Sequence, residues 1–171
     1  MRDLSSVLPG TERFNRGGMG LQELVARINQ SGAQGALVIS IWRGNPGELT
    51  FISPTGSEML KLRLDTVLLR REVNANGSAR IGRAEFVAVP TMSSERVKIL
   101  ATDIATLLNI NIQEHQSATE LVGANDQSCI WFEDTPSGKL LWTHYDINNQ
   151  IEIGPRIRIS TVWRKFGNES E

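Results

Sequence analysis

The chain has 171 residues, of which 40% are hydrophobic and 22% are charged, and its formal net charge is −1. These proportions are typical of a globular domain and exclude a largely disordered chain. The near-neutral charge excludes a wholly basic protein that coats RNA, because phosphate binding relies on clustered Lys and Arg. Any RNA site must therefore be local.

The sequence also argues against disulfide, metal and membrane chemistry. Cys129 is the single cysteine, and no Cys/His cluster has the spacing of a structural zinc site. The N-terminal Met1-Arg2-Asp3-Leu4 has no long apolar core, and no run approaches the roughly 20 apolar residues needed to cross a bilayer. We expect a cytoplasmic protein without a cofactor, a metal or a membrane partner.

The first elements are a helix and a hairpin. Leu21, Leu24, Val25 and Ile28 have helical spacing over residues 21–29, and Ser31-Gly32 predicts the end of the helix. The apolar runs 36–42 and 49–52 then predict two antiparallel strands. The intervening Asn45-Pro46-Gly47 favours a tight turn, with proline at the first inner position and glycine at the second.

Alternating residues 59–64 predict a strand that continues to Val67 or Leu69, and residues 86–89 predict another before Pro90. Between them the turn-forming residues 74–78 mark the only plausible internal seam, near 74–92.

Residues 94–108 give the strongest helix prediction, with an apolar face and with Ser94 as the capping residue. Three strand-like stretches follow, at 129–132, 140–142 and 151–163, and they predict an antiparallel meander. Both halves of the chain thus run from a helix to a Trp-containing strand, a Pro/Gly turn and a returning strand.

Three motifs carry a family resemblance. They are Arg13-Phe14-Asn15-Arg16-Gly17-Gly18-Met19-Gly20-Leu21-Gln22-Glu23-Leu24, then Trp42-Arg43-Gly44-Asn45-Pro46-Gly47, and finally Ile153-Gly154-Pro155-Arg156-Ile157-Arg158-Ile159. In this order the motifs resemble the Brix-domain family of ribosome-biogenesis proteins, in particular its short archaeal members. The resemblance extends from about Asp3 to Phe166.

The resemblance implies an α/β fold, a single domain spanning residues 1–171, in which two similar halves pack helices on mixed or antiparallel sheets. It likens this domain to the anticodon-binding domain of some aminoacyl-tRNA synthetases. It implies a role in pre-ribosomal RNA processing or assembly, and no catalysis.

The chain departs from the family pattern at two places. Relatives open with a strand and an Arg/Ser-rich stretch, whereas Met1-Arg2-Asp3-Leu4-Ser5 falls within the expected first helix, so we expect that strand and those charges to be missing. Gly18 and Gly20 stand where relatives often carry a lysine and a serine. The first change removes a phosphate contact and the second weakens a helix cap.

The candidate RNA-binding residues lie in loops and basic groups. Arg16 opens a glycine-rich loop before a helix, where backbone N–H groups favour an anion, although a loop that needs glycine for its shape is the alternative. Arg43 and Asn45, at the first hairpin, could reach a phosphate or an unpaired base, or could serve only the turn.

Two basic groups contribute further candidates: Lys61, Arg63, Arg70 and Arg71 in the first, and Arg156, Arg158, Arg164 and Lys165 in the second. Arg156 and Arg158 are expected on one face of a strand, where they could follow a phosphate backbone, although a solvated sheet face is the alternative. Of the tryptophans, we expect Trp42 and Trp131 in the core and Trp163 at the surface.

The material for an active site is limited to Cys129, His115, His144 and a few carboxylates, and no motif frames any of them. We therefore expect a non-enzymatic protein that binds ribosomal RNA or its precursor. The alternative is a protein-interaction module within a ribosome-assembly complex, docking other assembly proteins.

Overall fold

The structure is a computed structural model, and it describes residues 2–75, 82–123 and 127–165. Within these ranges the helices and strands follow one another in a mixed order. They are α1 (Arg2–Val7), α2 (Leu21–Ser31), β1 (Ala36–Trp42), β2 (Asn45–Ile52), β3 (Glu58–Leu68), α3 (Arg70–Val73), β4 (Ala84–Pro90), α4 (Glu95–Leu108), β5 (Asn111–His115), a 3-10 turn (Ala118–Glu120), β6 (Ser128–Asp134), β7 (Leu140–Asp146), β8 (Ile151–Glu152) and β9 (Arg156–Arg164). The predicted α/β class is confirmed.

The chain divides into two compact units. The first unit consists of Met1–Glu12 and Thr66–Ile159, and the second of Arg13–Asp65 and Ser160–Glu171. A single domain with an internal repeat stays a prediction. Of its expected seam near residues 74–92, residues 76–81 lie outside the described part of the chain.

The second unit packs α2 on an antiparallel sheet. Strand β2 pairs with β1 on one side and with β3 on the other. Leu24 and Ile28 of α2 are buried against Ile52, and Met19, Ala36 and Val38 pack around them. The predicted helix is confirmed; Leu24 and Ile28 of its apolar spacing face the sheet, whereas Leu21 is 48% exposed.

The ends of α2 show how its sequence bounds it. Glu23 accepts a hydrogen bond from the backbone N–H of Gly20 at 3.0 Å, which supplies the half of a capping box that a glycine still allows. Gly32 ends the helix in the left-handed region at φ 68°, with its N–H directed to Asn29 and Ile28 carbonyls. The predicted stop at Ser31-Gly32 is confirmed.

The β1–β2 hairpin is confirmed, but the predicted turn was placed wrongly. The two-residue loop is Arg43-Gly44, with φ values of 49° and 82°, while Asn45-Pro46-Gly47 already belongs to β2. Two positive φ angles match the right-handed twist of the flanking strands, which a proline-led turn does not. The twist of the strands therefore determines the position of the turn, and it outweighs the local tendency of Pro46-Gly47 to form one.

The first unit contains a mixed sheet in which β4 pairs in parallel with both β5 and β6. Strand β7 then pairs antiparallel with β6, with the short β8 and with the beginning of β9. The meander predicted for the last third of the chain is therefore present, joined to a parallel portion.

Helix α4 packs on β4 and β6 through the apolar face that its periodicity predicted. Val97, Leu100, Ala101 and Ile104 are all at most 1% exposed. Ser94 occupies the N-cap position but makes no side-chain bond to the helix. Its hydroxyl instead donates to Asp134 at the end of β6, 3.0 Å away, and that carboxylate also accepts the Ser94 backbone N–H at 3.1 Å.

The last predicted strand is interrupted between Glu152 and Arg156. Gly154 adopts φ 65°, and a Cβ there would lie 3.1 Å from Cγ2 of Val73 in α3. Pro155 lacks the N–H that a central strand would need. The Gly-Pro pair therefore breaks the strand and lets α3 approach the backbone closely.

Candidate nucleic-acid interface

The tip of the β1–β2 hairpin exposes an aromatic ring beside a guanidinium. Trp42 is 67% exposed and Ile41 63% exposed, and Arg43 and Asn45 are also exposed. The expectation that Trp42 packs in the core is wrong. Burial falls along β1 from its half-buried start to its exposed end, because the α2 core contacts Ala36 and Val38 but not the tip.

Gly47 fixes the geometry of this tip. A Cβ on Gly47 would lie only 2.6 Å from Cβ of Trp42, so a larger residue would displace the tryptophan. Gly44 permits the positive φ of the turn, and Gly47 leaves room for the neighbouring Trp42 side chain. The hairpin motif therefore holds Trp42, Arg43 and Asn45 close together at an exposed tip.

The glycine-rich loop before α2 is closed on itself. Nε of Arg16 donates to the carbonyl of Met19 at 2.9 Å, and the N–H of Met19 donates back to the Arg16 carbonyl at 3.1 Å. The Gly20 N–H that a phosphate would use is occupied by the Glu23 carboxylate. The Glu23 carboxylate therefore already places a negative charge at the N-terminus of α2, which argues against an anion-binding site there.

At the start of β9, alternation places Arg156 and Arg158 on the face opposite the buried Ile157 and Ile159. Arg156 makes a two-pronged ion pair with Glu152, with Nε donating at 2.7 Å and Nη2 donating to the other carboxylate oxygen. That hydrogen bonding raises the pKa of Arg156 although partial burial opposes it. Arg158 is more exposed than Arg156.

The remaining basic candidates differ in their surroundings. Arg164 is exposed at the end of β9, and Nζ of Lys165 donates to the Ser57 hydroxyl at 3.2 Å. Lys61 is paired with Glu58 at 2.9 Å and with Glu48 at 4.0 Å, so carboxylates offset its charge.

Arg70 and Arg71 lie on α3, beside the Gly154 turn. The backbone N–H of Arg70 donates to Oδ2 of Asp3 at 2.9 Å, and the Arg70 Cα would lie 3.3 Å from a Cβ on Gly154. A cleft of about 400 Å³ borders this helix, and its lining residues are Asp3, Leu69, Arg70, Arg71, Asn74, Ala75 and Ile153. The structure therefore brings one basic pair next to the Gly-Pro motif, a contact that sequence spacing could not reveal.

Of the residues considered for catalysis, Cys129 and His144 are buried in the core. Cys129 packs with Trp131 and Phe86, and burial raises the pKa of its thiol to about 12. His144 is fully buried, and burial lowers its pKa to about 4. Among the described residues, no group of three or more His, Cys, Asp or Glu side chains could hold a metal ion.

The helices of the described ranges are all too short or too polar to cross a bilayer.

The sequence is similar to several known proteins. No protein-family model matches the sequence. A protein from Thermococcus kodakarensis, named as a probable Brix domain-containing ribosomal biogenesis protein, is 26% identical over 172 residues, which cover 94% of this chain and 81% of that protein. A protein of the same name from Pyrococcus horikoshii is 33% identical over 78 residues, covering 44% of this chain and 35% of its own length.

Two solved structures share the fold. One is a crystal structure of a probable ribosomal biogenesis protein from Aeropyrum pernix K1, with a TM-score of 0.73 and 21% identity over 94% of this chain and 86% of that one. The other is Mil, an archaeal Imp4-like protein, with a TM-score of 0.61 and 18% identity over 95% of this chain and 88% of that one. The resemblance that the three motifs carry is therefore confirmed: the curated relatives are named as Brix domain-containing ribosomal biogenesis proteins, and the fold is shared with archaeal proteins described as ribosomal biogenesis and Imp4-like.

Proposed function

We propose that this protein, a ribosome-biogenesis factor by its relatives, acts in the cytoplasm by binding precursor ribosomal RNA during processing or assembly. The mechanism is non-enzymatic binding and positioning. Arg and Lys side chains contact phosphates, and an exposed aromatic ring stacks on an unpaired base.

The exposed hairpin tip is the observation that carries this proposal. Trp42 presents a large aromatic surface to solvent, and both the turn residue Arg43 and the cross-strand partner Asn45 are exposed beside it. Sequence-specific RNA recognition targets unpaired bases through stacking on aromatic rings, with guanidinium groups on phosphates. The tip offers both kinds of contact within four residues of chain.

A local site also agrees with the net charge of −1. Several candidate cations are paired with carboxylates, as Arg156 is with Glu152 and Lys61 with Glu58. Such pairs contribute little to phosphate attraction. We therefore assign the main contribution to Arg43 and Trp42.

The test is binding of the full chain to a labelled fragment of ribosomal-RNA precursor and to a scrambled RNA, at several salt concentrations. Trp42→Ala should weaken binding by about fivefold or more, since stacking contributes roughly 1–3 kcal/mol per base. Arg43→Ala should weaken it and reduce the salt slope by about 1, as the loss of one phosphate contact predicts.

Matched controls are Met92→Ala and Arg83→Ala, which remove an exposed apolar side chain and an exposed arginine outside the tip. Both should bind RNA like the original protein. Unchanged RNA affinity in the Trp42 and Arg43 variants would reject this site.

A second function, docking of another assembly protein, is favoured by the same exposed Trp42 and Ile41, because tryptophan is frequent among the residues that dominate protein interfaces. The two functions differ in their salt dependence. Absence of RNA binding even at low salt would favour a protein partner for the tip.

A further inference from the structure

The cleft beside α3 has basic, acidic, polar and apolar lining. Arg70 and Arg71 supply two guanidinium groups against the single carboxylate of Asp3, Asn74 supplies an amide, and Leu69 and Ile153 are among the apolar lining residues. Its volume of about 400 Å³ falls within the range of small-molecule sites. All of these residues belong to the first unit.

Arg70 has an unsatisfied donor. In the part of the chain that the structure describes, its Nε is buried and has no hydrogen-bond partner. Buried polar groups are nearly always paired, and an unmade hydrogen bond at such a donor is unfavourable. A ligand acceptor that draws the Nε edge of the guanidinium into the cleft would relieve this cost.

The other polar groups at α3 are already engaged. Glu72 accepts the backbone N–H of Leu69 at 2.7 Å, and Asp3 accepts that of Arg70 at 2.9 Å. The Asp3 carboxylate thus holds the backbone of α3 in place. The backbone N–H groups of Leu69 and Arg70 therefore already have acceptors. A ligand in the cleft would be bound by the positively charged side chains of Arg70 and Arg71.

We propose that this cleft binds a phosphate group, held by Arg70 and Arg71, with Leu69 and Ile153 beside the remainder of the ligand. Guanidinium groups bind phosphate oxygens in a two-pronged geometry, which matches the unsatisfied Nε edge. The phosphate comes from an RNA chain or from a free phosphate or nucleotide. The RNA source rests on the proposed function, whereas the phosphate site itself does not.

The test follows the arginine Nε–Hε signals of the ¹⁵N-labelled full chain by NMR while inorganic phosphate is added at constant ionic strength. The Arg70 signal, identified by its loss in Arg70→Lys, should shift and saturate, and the Arg83 signal should not move. In Arg70→Lys, phosphate binding followed through the Arg71 signal should weaken about tenfold, because the variant keeps the charge but loses the Nε edge. An Arg70 signal that stays unmoved up to high phosphate concentration would overturn the site.

A second arm identifies the source by adding a short single-stranded RNA. If RNA shifts the Arg70 signal at lower concentration than phosphate does, and phosphate competes, the ligand is an RNA phosphate. If phosphate saturates the signal while RNA leaves it unmoved, the site stands and the RNA source is overturned. The Trp42→Ala variant should retain the phosphate response in either case, which separates failure of the hairpin-tip site from failure of this one.

Discussion

Trp142 donates its indole N–H to Nε2 of His144, 3.3 Å away, within the buried core of the first unit. Nδ1 of the same imidazole lies 3.2 Å from the carbonyl oxygen of Pro155. The indole contact makes Nε2 the acceptor, and the carbonyl makes Nδ1 the donor, so the imidazole is neutral. His144 thereby ties β7 to the Gly-Pro segment that precedes β9.

This neutral histidine predicts an acid-sensitive core. Burial lowers the pKa of His144 from 6.5 to about 4, while the Pro155 carbonyl and the charge of Glu152 oppose that shift. A folded pKa below the unfolded one gives stability that is complete above about pH 6.5 and is lost as the pH falls toward 4. The loss should reach roughly 3 kcal/mol, measurable as a falling urea midpoint between pH 7 and pH 4.

Replacing His144 isolates this contribution. His144→Gln should lower stability at pH 7 and should show a shallower decline below pH 6.5. An unchanged slope in the His144 variant would assign the acid sensitivity to other groups.

Cys129 should be inert in the folded protein. Burial raises its thiol pKa from 9.0 to about 12, so the thiolate fraction falls about a thousandfold. We expect negligible reaction with a disulfide reagent at pH 8, and reaction of one thiol per chain in denaturing urea. Rapid labelling without denaturant would show that the core around Trp131 opens readily. Cys129→Ala supplies the background.

Asp134 should contribute more to stability than its ion pair alone suggests. Its carboxylate accepts two hydrogen bonds from Ser94 and also pairs with Arg96 at 2.7 Å. Burial raises the pKa of Asp134, but the hydrogen bonds from Arg96 and Ser94 outweigh it, so the net pKa is lowered. Asp134→Ala should lower the free energy of unfolding by about 1–2 kcal/mol, because it leaves the part-buried N–H and hydroxyl of Ser94 without their acceptor.

Arg96→Ala separates the two contributions of that carboxylate. Since the Arg96 side chain is half exposed, its loss should cost less than about 1 kcal/mol. Urea unfolding at pH 7 measures both variants. Equal losses would mean that the ion pair with Arg96, and not the hydrogen bonds from Ser94, carries the stabilisation.

Much of the fold was predictable because its apolar periodicity is strong. The spacing of Val97, Leu100, Ala101 and Ile104 predicted the buried face of α4, and Gly32 predicted the end of α2. The elements that the sequence did not predict are short or exposed. Strand β5 is an edge strand of five mostly exposed residues, so it has no alternating apolar signal.

The candidate site was less predictable because it depends on long-range contacts. Helix α3 has four residues, and its first N–H is accepted by Asp3, which is 67 positions earlier in the chain. The exposure of Trp42 likewise follows from where α2 stops covering β1. Periodicity assigned this tryptophan to a strand but could not tell how far the core extends along it.

The turn residue Arg43 should show a conflict between stability and binding. It adopts φ 49°, a left-handed backbone conformation that is strained for residues other than Gly, Asn and Asp. Arg43→Asn would create the Asn-Gly pair that two-residue hairpins favour, and it should raise the free energy of unfolding by up to about 1 kcal/mol. The same change removes the guanidinium, so RNA affinity should fall as in Arg43→Ala.

Gly44→Ala is the contrasting variant, because φ 82° strains any residue with a Cβ while the Arg43 guanidinium is kept. It should lower stability by about 1 kcal/mol. Urea unfolding and RNA titration of the same samples then separate fold from function. An Arg43→Asn protein that is more stable and still binds RNA fully would show that Arg43 serves only the turn.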